Sequence, residues 1–393
     1  MLKEIFNFKN YDWKKYNVSL LVVALILCII SANILKLEGG EQMGSYYFKH
    51  QLIGAGLGLV IAVGISLIDY HFVCRFAIIY YMIGTLMVAA TRFSPFGLDH
   101  DTSQYRWLKI GIEFQPSELC KIILVLSLAA LFVRLQNRLN RLSTFFIVVL
   151  VAAVPTYFVL IQSDLSSSLV MMFILAIMIF ASGLSYRVLL PIIGILIPLV
   201  LVTFWYIQQP NQRLLNQYQY DRVDGFLHPE KHDLDSMFQQ NMSVNAIASG
   251  KVTGKIFDGA TETKRNYEKV GVTESDFVFA VIGEEVGFVG SFAVIALMAV
   301  IIIKCILISM HSCDFLGRMI SMGIAAMLMF QVFANIGVAT KLLPNTGLPL
   351  PFLSYGLSSM VSCMIGLGFV LNIGLQTNRK FHDGFTLENL NEV

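Results

Sequence analysis

Charge is scarce in this sequence. Asp, Glu, Lys and Arg make up 14% of its 393 residues, against about 25% in a soluble domain. Net charge is only +2, so no field draws nucleic acid and no nucleic-acid partner is expected. Six cysteines (Cys28, Cys74, Cys120, Cys305, Cys313 and Cys363) are scattered through or beside apolar segments, with no CxxC spacing. They read as packing residues, not as a disulfide framework or a metal knuckle. The histidines form no ligand cluster, so no protein metal site is expected. No phosphate-binding glycine loop occurs, which argues against an ATP-driven role. Internal repeats and low-complexity stretches are absent as well.

What the sequence does have is apolar length. Hydrophobic residues make up 56% of it, and mean hydropathy is +0.68. Windows of roughly 17–25 apolar residues recur, enough to cross about 30 Å of hydrocarbon. Candidate spans fall near residues 17–35, 51–68, 76–91, 117–133, 144–161, 166–182, 188–206, 277–303, 317–340 and 352–375. The expected fold is therefore all-α, a polytopic bundle of about ten transmembrane helices. The first apolar segment follows Lys14 and Lys15 and lacks a small-x-small cleavage site, so it is expected to remain as a helix. Very short turns at Asp164 and Ser185 make the flanking helices antiparallel neighbours.

With the N-terminus placed inside, the inner segments hold thirteen Lys or Arg, among them Lys3, Lys9, Arg379 and Lys380. The short outer segments hold six: Lys36, Lys49, Arg92, Arg106, Lys109 and Lys341. This bias predicts both termini in the cytoplasm. The long segment 207–276 then lies outside, where its Tyr218, Tyr220, Phe226, Leu227 and Phe238 predict a folded, membrane-facing substructure.

A charge at mid-bilayer costs about 2.5–3.5 kcal/mol on insertion scales, so it lines a cavity or finds a partner. Four clusters stand out on that ground. In Phe114–Lys121, Pro116 suits a first helical turn, and Glu118 and Lys121 share a face at a spacing of three. Either the pair only orders the bundle, or Lys121 faces an anionic substrate. In Gln162–Ser168, Asp164 sits between helices, and on sequence alone an N-cap is the stronger reading. Asp276 stands at the mouth of an apolar helix, where it too could cap. Glu284 and Glu285 lie two turns deeper and need a cation or a backbone donor. In Asn345–Ser359, two prolines and two glycines predict irregular backbone at membrane depth, tolerated only in protein or a polar cavity. The hydroxyls of Ser354, Tyr355, Ser358 and Ser359 would line that cavity.

Together these blocks resemble the SEDS (shape, elongation, division and sporulation) family. The resemblance rests on Arg106-Trp107-Leu108, on Phe114-Gln115-Pro116-Ser117-Glu118 and on Gln162-x-Asp164-Leu165. It continues through Ala246-Ile247-x-Ser249-Gly250, Asp276-Phe277-Val278-Phe279, Glu284-Glu285-x-Gly287-Phe288 and Asn335-Ile336-Gly337. The most specific block is Thr346-Gly347-x-Pro349-Leu350-Pro351-Phe352-x-Ser354-Tyr355-Gly356. The chain departs from the family pattern at Ser163, Ser166, Lys251, Ser275 and Leu357, which marks it as a divergent member.

The resemblance implies one membrane domain over residues 1–393 in the bacterial plasma membrane. It implies polymerisation of lipid II into glycan strands at the outer face, with Asp276 as the catalytic residue. A class B penicillin-binding protein, a transpeptidase, is the implied partner. Arg106, Lys109, Lys121 and Lys341 are candidate phosphate ligands. Glu118, Asp164, Ser354, Tyr355 and Ser358 complete the candidate substrate site. A divalent cation, Mg or Mn, would help neutralise pyrophosphate. Two other functions fit the bare residues. One is a flippase for a lipid-linked oligosaccharide, which needs polar access from both faces. The other is a non-catalytic scaffold of a cell-wall synthesis complex.

Overall fold

A computed structural model describes residue 8 and residues 11–95, 97–98, 106–110, 112–209, 212, 217–228, 235–257 and 265–376. Of the cations counted above, Lys3, Lys9, Arg379 and Lys380 lie outside the described residues, as do parts of the 207–276 segment.

The expected helices are present. Near the N-terminus are α1 (Val18–Glu38), α2 (Gly40–Ser66), a short α3 (Tyr70–Arg75) and α4 (Ala77–Phe93). After a small sheet come α5 (Pro116–Arg134), α6 (Leu142–Ile161), α7 (Leu165–Ala181) and α8 (Tyr186–Ile207). The long segment contributes α9 (Gln217–Leu227) and α10 (Asp235–Ser249). The last three are α11 (Val278–Met310), α12 (Phe315–Ala339) and α13 (Leu357–Leu375). Among the described residues seven helices are long and apolar enough to cross a membrane, and α4 and α7 are shorter apolar helices. Helix α8 is apolar apart from Arg187, which brings the spans to the ten expected.

Three boundaries differ from the hydropathy reading by several residues, one being the end of α11, at Met310 and not near 303. Helix α2 starts at Gly40 and not near 51, because its first turns carry polar residues such as Glu41 and Gln42 that an apolar window cannot see. Helix α13 starts at Leu357 and not at 352, because Phe352 has φ +64° and turns the chain before it.

Burial sorts the helices. The apolar windows of α5 and α13 are 78% buried, whereas that of α2 is 28%. The first two form the centre and α2 faces lipid. Small residues let α2 and α13 approach: a Cβ on Gly58 would lie 2.7 Å from Met364, and one on Gly368 would lie 2.8 Å from the Ala62 carbonyl oxygen.

Antiparallel connectivity gathers the α1–α2, α4–α5, α6–α7, α8–α11 and α12–α13 connections at one end. Here lies a three-stranded antiparallel sheet of β1 (Gly97–Leu98), β2 (Trp107–Ile110) and β3 (Ile112–Phe114). We call this the hairpin end. The α2–α4, α5–α6, α7–α8 and α11–α12 connections gather at the opposite end.

Helix α11 is broken at Gly287, where φ is +66° and ψ −164°. The break frees two carbonyls and two amides at membrane depth, and the segment after α10 fills it. Lys255 and Ile256 donate their amides to the Glu284 and Glu285 carbonyls at 3.0 and 3.1 Å, and the Phe288 and Val289 amides reach the Lys251 and Val252 carbonyls at 2.9 and 3.1 Å. Backbone exposed by a helix break must be satisfied by protein in this way. The two acids lock the same segment. Glu284 accepts from Lys255 Nζ and from the Asn266 and Tyr267 amides, and Glu285 pairs with Arg265 Nε at 2.8 Å. Both acids thus find the cation or backbone donor their position requires.

Candidate active site

Asp276 is the residue around which the hairpin end is arranged. It stands two residues before α11 and does not cap it: the N-cap position is Phe277, and no side chain there makes a capping hydrogen bond. The capping alternative is therefore removed. The backbone of Asp276 is held by buried Asn335 of α12, whose Nδ2 donates to the Asp276 carbonyl at 2.8 Å and to the Leu348 carbonyl at 2.7 Å. One amide thus ties the mouth of α11 to the irregular segment between α12 and α13.

That segment runs against the Asp276 carboxylate. Gly347 has φ +71°, and a Cβ built there would lie 3.0 Å from Asp276 Oδ2. Only glycine gives both the left-handed turn and the room. Ser354 Oγ accepts from the Leu350 amide at 2.7 Å and donates to the Ser275 carbonyl, while the Tyr355 amide donates to the Glu274 carbonyl at 2.8 Å. The ring of Tyr355 packs on Tyr47 of α2 at 4.9 Å between centroids. The other flank is fixed by Ser166 of α7, whose hydroxyl donates to the Thr346 carbonyl. Helix α10 closes the far side: Gln240 and Ser243 donate to the Val338 and Ala339 carbonyls at the end of α12, at 3.0 and 2.8 Å. These are carbonyls a helix terminus leaves unpaired.

Two arginines face this arrangement. Arg106, just before β2, donates through Nη2 to the Ser163 carbonyl at 2.6 Å. Arg222 of α9 donates through Nη1 to the Asn345 carbonyl at 3.2 Å. They line one small cavity together with Ser163, Ser166, Asn345 and Thr346. Within that group Arg106 Nε, Asn345 Oδ1 and Thr346 Oγ1 are buried with no hydrogen-bond partner among the described residues. A buried polar atom left unpaired costs about 1–3 kcal/mol. Three such atoms around one cavity give a polar ligand donors and acceptors to meet.

Electrostatics bear on the same carboxylate. Burial pushes the Asp276 carboxyl above the ordinary aspartate value. The Ser275 hydroxyl, 3.0 Å away, and then the Arg222 and Arg106 charges pull it back only in part, and Glu274 adds to the rise. The net result is a carboxylate more basic than a free aspartate.

The other candidate residues divide into three groups. Asp164 is an N-cap: its carboxylate accepts from the Ser167 amide at 3.0 Å and from Ser117 and Gln115 of the α5 mouth at 3.4 and 3.3 Å. Ser358 likewise joins helices, accepting from the Gln115 amide at 3.2 Å. Glu118 and Lys121 are fully buried and paired at 2.8 Å, so Lys121 does not face the cavity as one sequence reading had it. Lys121 donates to Glu118 Oε1, and both side chains are closed to solvent. Lys109 and Lys341 are exposed at the rim, where they meet Glu113 at 3.4 Å and Asn241 at 2.8 Å. Among the described residues no three His, Cys, Asp or Glu side chains gather as a cation site. The positive charge facing Asp276 is that of the two arginines.

Sequence reasoning missed Arg222, because it lies in the long segment whose charges are set aside when orientation is judged. Asn335 and Gly347 were visible only as motif letters. Their signal was present: an Asn inside an apolar helix, and a Gly before a Pro-x-Pro run.

The model of the FtsW/RodA/SpoVE cell cycle protein family matches residues 13–379. The chain belongs to this family. Among curated members it is similar to the peptidoglycan glycosyltransferase MrdB of Escherichia coli (strain K12), 30% identical over 375 residues that cover 95% of this chain and 97% of that one. It is also similar to a probable peptidoglycan glycosyltransferase FtsW of Geobacter sp. (strain M18), 28% identical over 91% of this chain and 96% of the relative. Among solved structures, a chain from a study of how a peptidoglycan synthase complex coordinates polymerisation and crosslinking superposes with a TM-score of 0.76. It is 27% identical and is matched over 94% of this chain and 99% of that one. The crystal structure of Thermus thermophilus RodA superposes at 0.66 over 94% and 98% of the two chains, at 24% identity, and supports the family fold.

Proposed function

We propose that this family member is a peptidoglycan glycosyltransferase that polymerises lipid II, with Asp276 as its general base. The observation that carries this reading is the state of Asp276: a carboxylate that caps no helix, touches Gly347, and faces two arginines. In the reaction, a carboxylate oxygen of Asp276 takes the proton from the acceptor sugar's 4-hydroxyl. The hydroxyl oxygen forms a bond to the anomeric carbon of the donor, and the bond from that carbon to the lipid pyrophosphate breaks. Pyrophosphate leaves as an anion, so no second carboxyl is needed as acid, unlike in glycoside hydrolysis. Arg106 and Arg222 hold the phosphates, since a guanidinium offers two parallel donors to one phosphate. General-base assistance supplies about 10²–10⁴-fold in rate. A divalent cation bound with the substrate would add positive charge at the pyrophosphate.

Of the remaining candidates, Ser354, Tyr355, Ser358, Asp164, Glu118 and Lys121 position the walls. Lys109 and Lys341 meet phosphates or headgroups at the rim. The hairpin end faces outward and both termini lie in the cytoplasm, as the Lys and Arg bias requires. Crosslinking falls to a class B penicillin-binding protein, a pairing supported by the synthase complex that the fold resembles.

The test is the purified protein with its transpeptidase and labelled lipid II, wild type against Asp276→Asn at matched folding. Glycan ladders from wild type alone support the proposal. Equal ladders from both remove Asp276 from the mechanism.

A further inference from the structure

A second cavity, of about 590 Å³, lies at the opposite end, far along α11 and α13 from Asp276. Its walls come from the segment before α1, the last turns of α11 and the end of α13. Lys14, Lys15 and His311 line it, together with the apolar Val18, Leu307 and Ile308. A further cation, Lys304, half-buried on α11, bonds Asn17 Oδ1 of the same wall at 3.3 Å. Among the described residues an acid of this wall is Asp12, whose carboxylate accepts from the Lys14 amide at 3.1 Å. Among the described lining residues there is no acid, so their charge is positive.

The cavity also has an apolar part. Val18 and Leu307, which line it, are exposed, 55% and 46% respectively. Trp13 is 54% exposed beside Lys14 and packs with Phe8 and Tyr11. An exposed Trp in an aromatic cluster next to lysines is the arrangement found at a bilayer–water boundary. A basic pocket between transmembrane helices at that depth suits a lipid headgroup.

We propose that this cavity binds the phosphate headgroup of an anionic phospholipid, with the acyl chains lying along Val18 and Leu307. Lys14 and Lys15 meet the phosphate from the aqueous side, and Lys304 and His311 from α11. A soluble phosphate would use the same cations but has no use for the apolar wall, which favours the lipid. In the topology proposed above the lipid belongs to the cytoplasmic leaflet. The binding itself does not depend on that topology or on the catalytic reading.

The full-length protein would be placed in nanodiscs of phosphatidylcholine doped with phosphatidylglycerol, then released and its retained lipids counted by native mass spectrometry. Both nanodisc leaflets are alike, so sidedness does not enter. Wild type should retain phosphatidylglycerol over phosphatidylcholine, and equal retention overturns the proposal without any variant. The double variant Lys14→Gln, Lys15→Gln should lose roughly ten-fold or more of that preference, since each basic residue near an anionic surface is worth about five-fold. Lys14→Arg, Lys15→Arg should restore it. The control, Arg138→Gln with Arg141→Gln on the α5–α6 connection of the same end, should retain the wild-type preference. An equal loss in the control means diffuse attraction and overturns the site. Displacement of the lipid by inorganic phosphate alone would assign the cavity to a soluble anion and overturn the lipid assignment.

Discussion

The two ends of this bundle hold the same kinds of residue and treat them in opposite ways. At the opposite end, His71 stands between two carboxylates, with Nδ1 2.7 Å from Asp69 Oδ1 and Nε2 2.8 Å from Asp314 Oδ2. Tyr70 donates to Asp314 at 2.7 Å, and Asn372 and Gln376 of the α13 end join the same network. None of these side chains has a buried polar atom left unpaired. At the hairpin end, Arg106, Asn345 and Thr346 each leave one. All five non-glycine residues with positive φ among the described residues, Ser163, Lys251, Val272, Lys341 and Phe352, are there too. Such conformations cost about 1–3 kcal/mol each and persist only where the surroundings impose them. A buried charge cluster is thus not by itself a sign of chemistry. The His71 cluster clamps helices, whereas the cluster of Arg106, Asn345 and Thr346 lines a cavity and leaves three polar atoms unpaired among the described residues.

Breaking the unsatisfied end should abolish activity and spare the fold. Asp276→Asn should lower the polymerisation rate by about 10²–10⁴-fold with an unchanged or higher melting temperature, since a half-buried charge is removed. A parallel fall in rate and melting temperature would instead mark Asp276 as structural. Gly347→Ala should follow, with a loss of up to about 10²-fold, the scale of a misplaced reacting group. Its methyl would press on Asp276 Oδ2, and a crystal or cryo-EM structure of the variant should show the carboxylate displaced. Arg222→Ala should raise KM for lipid II more than it lowers kcat, because a phosphate contact is lost in ground and transition states alike.

Breaking the satisfied end should do the reverse. Removing one partner of a buried charge pair costs about 3–5 kcal/mol, so His71→Ala should lower thermal stability while activity per folded molecule stays near wild type. The pH dependence sharpens this. Burial alone would push His71 down, but its hydrogen bonds to Asp314 and Asp69 more than reverse this, so its pKa stands above the ordinary value. Burial pushes Asp314 up, and His71, Tyr70 and the Gly317 amide more than reverse it, so it stands below. The histidine's contribution is complete below its unfolded value of about 6.5 and fades as pH rises through the raised one. The aspartate's is complete above about 3.9 and fades as pH falls through the lowered one. Unfolding followed across pH should therefore show greatest stability between the two, and His71→Ala should flatten the alkaline side. The smallest effects belong to Lys109→Ala and Lys341→Ala, which should change rates less than about two-fold, as exposed pairs contribute little.

Much of this was legible in the sequence, and the boundary is physical. Span positions follow from apolar length, so the helices were readable to within a few residues, apart from the polar first turns of α2, the end of α11 and the start of α13. Irregular backbone near Gly347 and Pro349 was readable because those residues forbid a helix. The need of Glu284 and Glu285 for partners was readable from their depth, but the partners Lys255 and Arg265 were not, since a helix break at Gly287 is what admits them. Asp276 looked like a cap, as Asp164 did, and only the geometry separates one that caps from one that does not. The short α3 and its His71 clamp left no periodic signal at all.

The most direct test of the account is the pH dependence of kcat/KM for lipid II polymerisation, in wild type and Arg222→Ala. A base must be ionised to act, so activity falls on the acid side as pH drops through the pKa of Asp276 in the free enzyme. The account predicts that this fall lies above the ordinary aspartate range in wild type, because burial outweighs the arginines. It predicts a further move to higher pH in Arg222→Ala, because one of the charges holding the carboxylate down is gone. An acid limb at the ordinary value, unmoved by loss of Arg222, would contradict it.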